Sequence, residues 1–145
     1  MVAKFTVLGE PKGKGRPRFI PKTGRAITPK DTVNYESLVK LEYGIQCKGI
    51  KFPDDAQLDM RILAFYGIPK SMTKKNRELV NKRLLRPTKK PDMDNVVKII
   101  ADSLNGIAYR DDTQIVDCQV RKFYSDQPRV EITIKQITIA EDQNS

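Results

Sequence analysis

The chain is 145 residues long, carries a formal net charge of +9 and contains no histidine. Without imidazole there is no Ser–His or Cys–His nucleophile pair, no His-ligated zinc and no histidine base, so acid–base work falls to carboxylates, lysine, tyrosine or a metal-bound water. The cationic excess favours a polyanionic partner, most often nucleic acid, and the length suits one domain, residues 1–145, able to bury a core.

Val2 to Leu8 alternates apolar and polar residues and predicts a first strand. GEPKGKGRPR follows as a loop, and residues 19–28 predict a hairpin turning at Lys22-Thr23-Gly24. Lys12, Lys14, Arg16 and Arg18 occupy every second position, which sets them on one side of an extended chain. They read either as an arm that contacts phosphate or as a plain solvated loop. Pro29-Lys30-Asp31 opens a helix to about residue 46, with Asp31 as candidate cap and Val33, Leu38, Leu41 and Ile45 as its apolar positions. Residues 48–55 form a turn region, and residues 57–68 predict a strand through Leu58, Met60, Ile62, Ala64 and Tyr66.

Residues 69–90 are a second basic zone, with Lys74, Lys75, Lys89 and Lys90 among its cations and a partial helix from about Thr73 that Pro87 ends. It reads as a solvated helix and linker, or as a cationic rim for substrate phosphate. From Met93 through Val96, Val97, Ile100 and Leu104 the apolar spacing predicts a helix, stopped by Asn105-Gly106. Residues 115–124 and 129–139 predict two more strands, expected to pair as a hairpin across Asp126-Gln127-Pro128, and residues 140–145 form a polar tail. This order predicts an α+β fold, a mixed β-sheet flanked by helices. Cys47 and Cys118 lack CxxC spacing and are expected as reduced thiols. No apolar run approaches the ~20 residues of a membrane span. The opening MVAKFTVLGEP has no long apolar signal segment, so a cytoplasmic protein is expected.

The chemistry concentrates between residues 90 and 115, in Asp92, Asp94, Asp111 and Asp112 with Lys98 between the pairs. Asp94, Lys98 and Asp102 are four apart and line one side of the predicted helix. Asp92 converges with Asp94 only if it precedes the helix, which Pro91 favours. Crowded carboxylates repel, and a divalent cation is one reason to crowd them. Mg²⁺ takes hard oxygen ligands and is usually held by one or two carboxylates plus substrate phosphate. Each acid also has an ordinary reading. Asp92 or Asp94 could cap the helix, Asp111 with Gln114 fits a capping box, and Asp94–Lys98 fits a surface ion pair. On the residues alone, a metal-dependent nuclease and a non-catalytic nucleic-acid binder stand about level.

The stretch PDMDNVVKIIADSLNGIAYRDDTQIVD resembles the core motif of the RusA-type Holliday junction resolvases. The shared pattern is Asp-x-Asp-Asn, a following lysine, a helix ending in a turn, then an aromatic and Asp-Asp before Gln and a strand. It covers roughly residues 90–117. The resemblance implies a Mg²⁺-dependent endodeoxyribonuclease, with Mn²⁺ as substitute, that nicks four-way DNA junctions symmetrically in recombination and repair. It implies a homodimer of compact α+β subunits formed partly by exchange of elements. The family's catalytic, metal-holding aspartates fall on Asp92, Asp94 and Asp112, its functional lysine on Lys98, and a further acid on Asp111. Some members carry a Pro-Pro-Ser-Asn-like stretch where this chain has EPKGKGRPR, so the family's DNA contacts do not transfer there. The DNA-binding candidates are therefore this chain's own Lys12, Lys14, Arg16, Arg18, Lys74, Lys75, Lys89 and Lys90. A binder of branched DNA, or a nuclease for flaps or RNA, is the alternative.

Overall fold

The computed structural model describes residues 1–15 and 18–139; Arg16, the side chain of Arg18 and the tail from residue 140 lie outside the described residues. In chain order the elements are β1 (Val2–Leu8), β2 (Arg18–Ile20), β3 (Arg25–Ile27), α1 (Lys30–Gln46), β4 (Leu58–Gly67), α2 (Lys74–Asn81), α3 (Met93–Ser103), β5 (Ile115–Ser125) and β6 (Arg129–Gln136). The fold is α+β: a mixed four-stranded sheet in the order β1-β6-β4-β5 and a separate hairpin of β2 and β3.

The sheet is built on period-two burial. Ala3, Phe5 and Val7 of β1, Val130, Ile132 and Ile134 of β6, and Leu58, Met60, Ile62, Ala64 and Tyr66 of β4 are all buried. They form one core with Tyr35, Val39 and Tyr43 of α1 and Val96, Ile99 and Ile100 of α3. The opposite face carries Lys4, Arg61, Gln119, Glu131 and Thr133 in a shallow polar depression. An antiparallel or mixed sheet of this size commonly has one packed and one solvated face.

Three parts of the fold differ from the sequence expectation. First, β5 and β6 are not a hairpin. β4 lies between them, antiparallel to β6 and parallel to β5. Asp126-Gln127-Pro128 reverses the chain, but a turn signal does not fix which strand becomes the neighbour. β4 takes the central place because it is the strand with the longest buried apolar run. Second, α1 buries Thr32, Tyr35, Val39 and Tyr43. The aliphatic stripe expected inward lies outward, with Val33 at 47%, Leu41 at 58% and Ile45 at 62% exposure. The two stripes have the same helical period, and the tyrosine side wins because aromatic rings bury more surface. Tyr43 packs edge-on against Phe5 at 5.3 Å and donates its hydroxyl to the Ile50 carbonyl. Pro29, not Asp31, stands at the N-cap of α1. Third, α2 ends at Asn81, well before Pro87. Arg83 takes a left-handed φ of 58° and the Leu84 and Leu85 amides turn back to the Leu79 carbonyl, which closes the helix. At its start, near the expected position, Thr73 caps the helix and accepts from the Asn76 amide.

α3 begins and ends as its sequence indicates. Gly106, at φ 75°, turns the chain out of the helix, and Tyr109 returns under it to donate its buried hydroxyl to the Ala101 carbonyl at 2.6 Å. That carbonyl also accepts the Leu104 amide. Tyr109→Phe therefore leaves it one partner and is expected to cost about 1 kcal/mol, read as a lower urea midpoint with unchanged slope. A loss near zero would mean the bond contributes nothing to holding the turn.

Candidate active site

Asp92 is the N-cap residue of α3, in extended backbone, yet its side chain makes no capping hydrogen bond. Asp94 follows in the first turn, exposed. Among the described residues, neither acid joins an ion pair, and Lys98, one turn further along, joins none either. The ordinary roles open to these residues, a cap and an Asp94–Lys98 pair, are thus not taken. At Asp111 the ordinary role is taken. It forms a capping box with Gln114 over the short 3-10 turn Asp112–Gln114 and accepts from the Thr113 hydroxyl at 3.1 Å. Gln114 in turn donates to the Pro53 and Ala56 carbonyls, which ties this turn to the chain before β4.

Asp112 sits at the far end of α3. Its amide donates to Asn105 Oδ1 at 2.8 Å, and its carboxyl lies within hydrogen-bonding reach of the Asp102 carboxyl. Partial burial first, then the facing Asp102, raise the Asp112 carboxyl above its ordinary pKa. Asp102 also meets the Lys14 ammonium at 3.1 Å, and Lys14 reaches Glu36 of α1 at 3.3 Å. Partial burial pulls the Lys14 ammonium down, but its bonds to Asp102 and Glu36 more than offset this and hold it above its ordinary value.

At 1.5 Å per residue, Asp92 and Asp102 are about 15 Å apart along the helix axis, and Lys98 stands between. One chain therefore carries two acid groups, Asp92 with Asp94 at the start of α3 and Asp102 with Asp112 at its end. Carboxylate oxygens are the right donors for Mg²⁺. Among the described residues, however, three acidic ligands do not gather into one metal-holding group.

Beside Asp92 opens a cleft of about 820 Å³, whose charged lining comprises Lys12, Lys14, Lys89 and Lys90 against Glu10 and Asp92. Each wall is held by specific bonds. The Glu10 carboxylate accepts the Gly67 amide at 3.0 Å at the end of β4. The Lys14 amide donates to the Asn95 carbonyl of α3 at 3.3 Å, and the Gly15 amide to Thr32 Oγ1 of α1 at 2.9 Å. Residues 10–15 are in this way strapped across the start of α3. On the other side, Arg86 lies over the Phe123 ring at 4.4 Å and donates to the Lys122 carbonyl, while Lys122 donates to the Lys89 carbonyl at 2.7 Å. At the base, Tyr66 donates its hydroxyl to the Pro91 carbonyl at 2.6 Å. Burial, with Asp92 and Glu10 nearby, pushes that hydroxyl up to about 12, so at neutral pH it is a fixed donor and not a base.

The structure thus brings Lys12, Lys14, Lys89, Lys90 and Asp92 to one cleft. Lys74 and Lys75 lie elsewhere, exposed on the first turn of α2. Sequence reasoning gave no site role to Glu10, Tyr66, Asn95 or Asp102, although Asp102 was placed on the helix side of Asp94 and Lys98. Glu10 is the lone acid of a basic run and Asn95 belongs to the Asp-x-Asp-Asn motif. Tyr66 and Asp102 gave no signal beyond their strand and helix phase.

A family model described as Endodeoxyribonuclease RusA matches residues 9–135, from the strap through most of β6. A protein of Bacillus subtilis (strain 168), named Uncharacterized protein YqaN, is 39% identical over 139 residues, covering 93% of this chain and 96% of its own length.

The strap passes so close to α3 that a Cβ at Gly13 would lie 2.9 Å from Pro91 Cβ and 3.0 Å from Asn95 Cβ. Gly13→Ala is expected to lift the strap and cost about 1–3 kcal/mol, read as a lower melting temperature. An unchanged value would show that the strap is not seated on α3.

Proposed function

Because the chain belongs to the RusA endodeoxyribonuclease family, we propose that it is a divalent-metal-dependent endonuclease that resolves four-way DNA junctions by paired nicks, in recombination and repair, acting as a homodimer in the cytoplasm. The observation that carries this reading is the set of exposed carboxylates without structural partners at the start of α3, next to a lysine-lined cleft. Asp92, Asp94 and Asp112 would hold Mg²⁺, with Mn²⁺ as substitute. When bound, the metal would supply an activated water and offset charge on the leaving oxygen. Lys98 stands on the Asp94 face of α3 as a fixed positive charge for the attacked phosphate or its water. Lys12, Lys89 and Lys90 meet phosphates on either side of Asp92, and Arg16, Arg18, Lys74 and Lys75 extend that contact along the duplex.

The separation of the two acid groups along α3 also supports a dimer. A C₂ pair presents the same surfaces twice. It can set the 111–112 turn of one chain against the start of α3 in the other, so that Asp92 and Asp94 meet the second chain's Asp112. Two such sites related by a two-fold axis suit a four-way junction, which has approximate two-fold symmetry itself.

Synthetic four-way junctions, flaps and RNA, incubated with and without Mg²⁺, test the reading. Paired, metal-dependent nicks in junctions are expected. Binding without cutting, or faster cutting of flaps or RNA, would contradict it. Asp92→Asn, Asp94→Asn and Asp112→Asn are each expected to lower cleavage by orders of magnitude with a stability cost of about 1 kcal/mol or less, since Asn also caps helices well. Metal-free junction binding should hold or tighten, because one repulsive charge is gone. Full cleavage by all three variants would return these acids to structural roles. Replacing Lys12, Lys89 and Lys90 by Ala should weaken binding and flatten its log–log salt slope by roughly 0.9 per lost contact.

A further inference from the structure

Lys14 lines the cleft, and its ammonium is tied to two carboxylates. It is bonded to Asp102 at 3.1 Å and to Glu36 at 3.3 Å, with side-chain exposures of 24%, 26% and 17% for the three residues. Its backbone is fixed as well, through the Asn95 carbonyl on one side and the Gly15–Thr32 bond on the other. The neighbouring glycines leave no slack. A Cβ on Gly13 would meet Pro91 and Asn95, and one on Gly15 would lie 2.7 Å from Thr32 Oγ1. Lys14 is therefore a located charge, unlike the exposed Lys12 two residues before it.

What it holds is Asp102, whose carboxyl faces that of Asp112. Two ionised carboxylates in contact repel, and a shared proton or a bound cation is what keeps them together. Lys14 is the cation bound to Asp102, and Glu36 holds the same ammonium from α1. Asp112 is meanwhile held from its own backbone by Asn105. The chain of contacts runs from α1 through the strap to the end of α3, and it ends on a carboxylate assigned above to the metal.

We infer that Lys14 is a positioning residue, not a phosphate contact: through Asp102 it sets the Asp112 carboxylate, so the strap couples the placing of the basic arm to the placing of the catalytic acid. The catalytic half of this inference rests on the nuclease reading. The geometric half does not. The role also sorts the cations that alternate along the strap. Lys12 faces the substrate, whereas Lys14 faces the protein.

The test compares Lys14→Met, Lys14→Arg and Lys12→Met in the full chain. In EDTA, Lys14→Met should leave four-way junction affinity and its salt slope unchanged, while Lys12→Met should flatten the slope by roughly 0.9. At saturating junction, Lys14→Met should cleave about tenfold more slowly and need more Mg²⁺, as is usual when a ligand's outer partner is removed. Weaker Mg²⁺ binding should appear by calorimetry without DNA, and Lys14→Arg should restore most of each loss. Asp102→Ala should reproduce the pattern, and the double variant should be no worse than either single one. A flattened slope with normal cleavage at saturation would overturn the inference and make Lys14 a phosphate contact. Independently of any activity, the Asp112 carboxyl ¹³C resonance should shift in Lys14→Met and not in Lys12→Met. An unmoved resonance overturns the inference even if cleavage slows. A resonance that shifts in Lys14→Met, with a wild-type chain that cuts nothing, would sustain the coupling while refuting the nuclease.

Discussion

The burial of one face of α3 is the constraint on which the rest of the site depends. Val96, Ile99, Ile100 and Leu104 are fully enclosed between the sheet and α1, together with Tyr109 from the returning turn. A helix pinned along one stripe has no rotational freedom left, so the residues out of phase with that stripe have a fixed direction. Asp94 and Lys98 are set outward by it. Asp102, one turn on, is set toward the strap and α1, where Lys14 and Glu36 meet it. Asp92 stands just before the first turn, over the Tyr66–Pro91 bond that joins the helix to β4. Asp92 and Asp94 need no bonds of their own to be placed, because the apolar stripe of α3 places them.

That arrangement has an electrostatic consequence. Like charges gathered on a small surface raise the free energy of the fold, and here they are divided between the two ends of a helix about 15 Å apart. At the start of α3 the acids are exposed, and Lys12, Lys89 and Lys90 of the cleft offset them. At its end the Asp102 and Asp112 carboxyls are in contact and half-buried, and a single lysine offsets them. The folded chain tolerates both clusters without gathering them. On the proposed reading, a second chain, a metal and the substrate phosphates would bring them together.

The sequence made the central helix legible because three signals agree there: an apolar period of 3.6, Pro91 before it and Asn105-Gly106 after it. The order of elements was legible for the same reason. α1 was misread because Val33, Leu41 and Ile45 form a stripe as regular as Tyr35, Val39 and Tyr43, and periodicity alone does not say which side faces the sheet. The partner of β5 was misread because strand neighbours are chosen by the whole sheet, not by the nearest turn. At the site, Asp92, Asp94, Lys98 and Asp112 could be named from their motif. Asp102 and Glu36 could not, because they matter only through a contact with Lys14 that spans 88 and 22 positions of the chain, respectively.

The central claim is that the acids at the two ends of α3 work on one phosphate across two chains, and mixed dimers test it most directly. Asp94→Asn and Asp112→Asn chains are each prepared alone, then unfolded together and refolded as a mixture. If each site draws Asp94 from one chain and Asp112 from the other, the mixed dimer contains one site with both acids intact. Metal-dependent nicking of a four-way junction then returns, confined to one strand of each pair. If each site lies within one chain, both sites of every mixed dimer carry a lesion. A mixture as inactive as its two components would contradict the account.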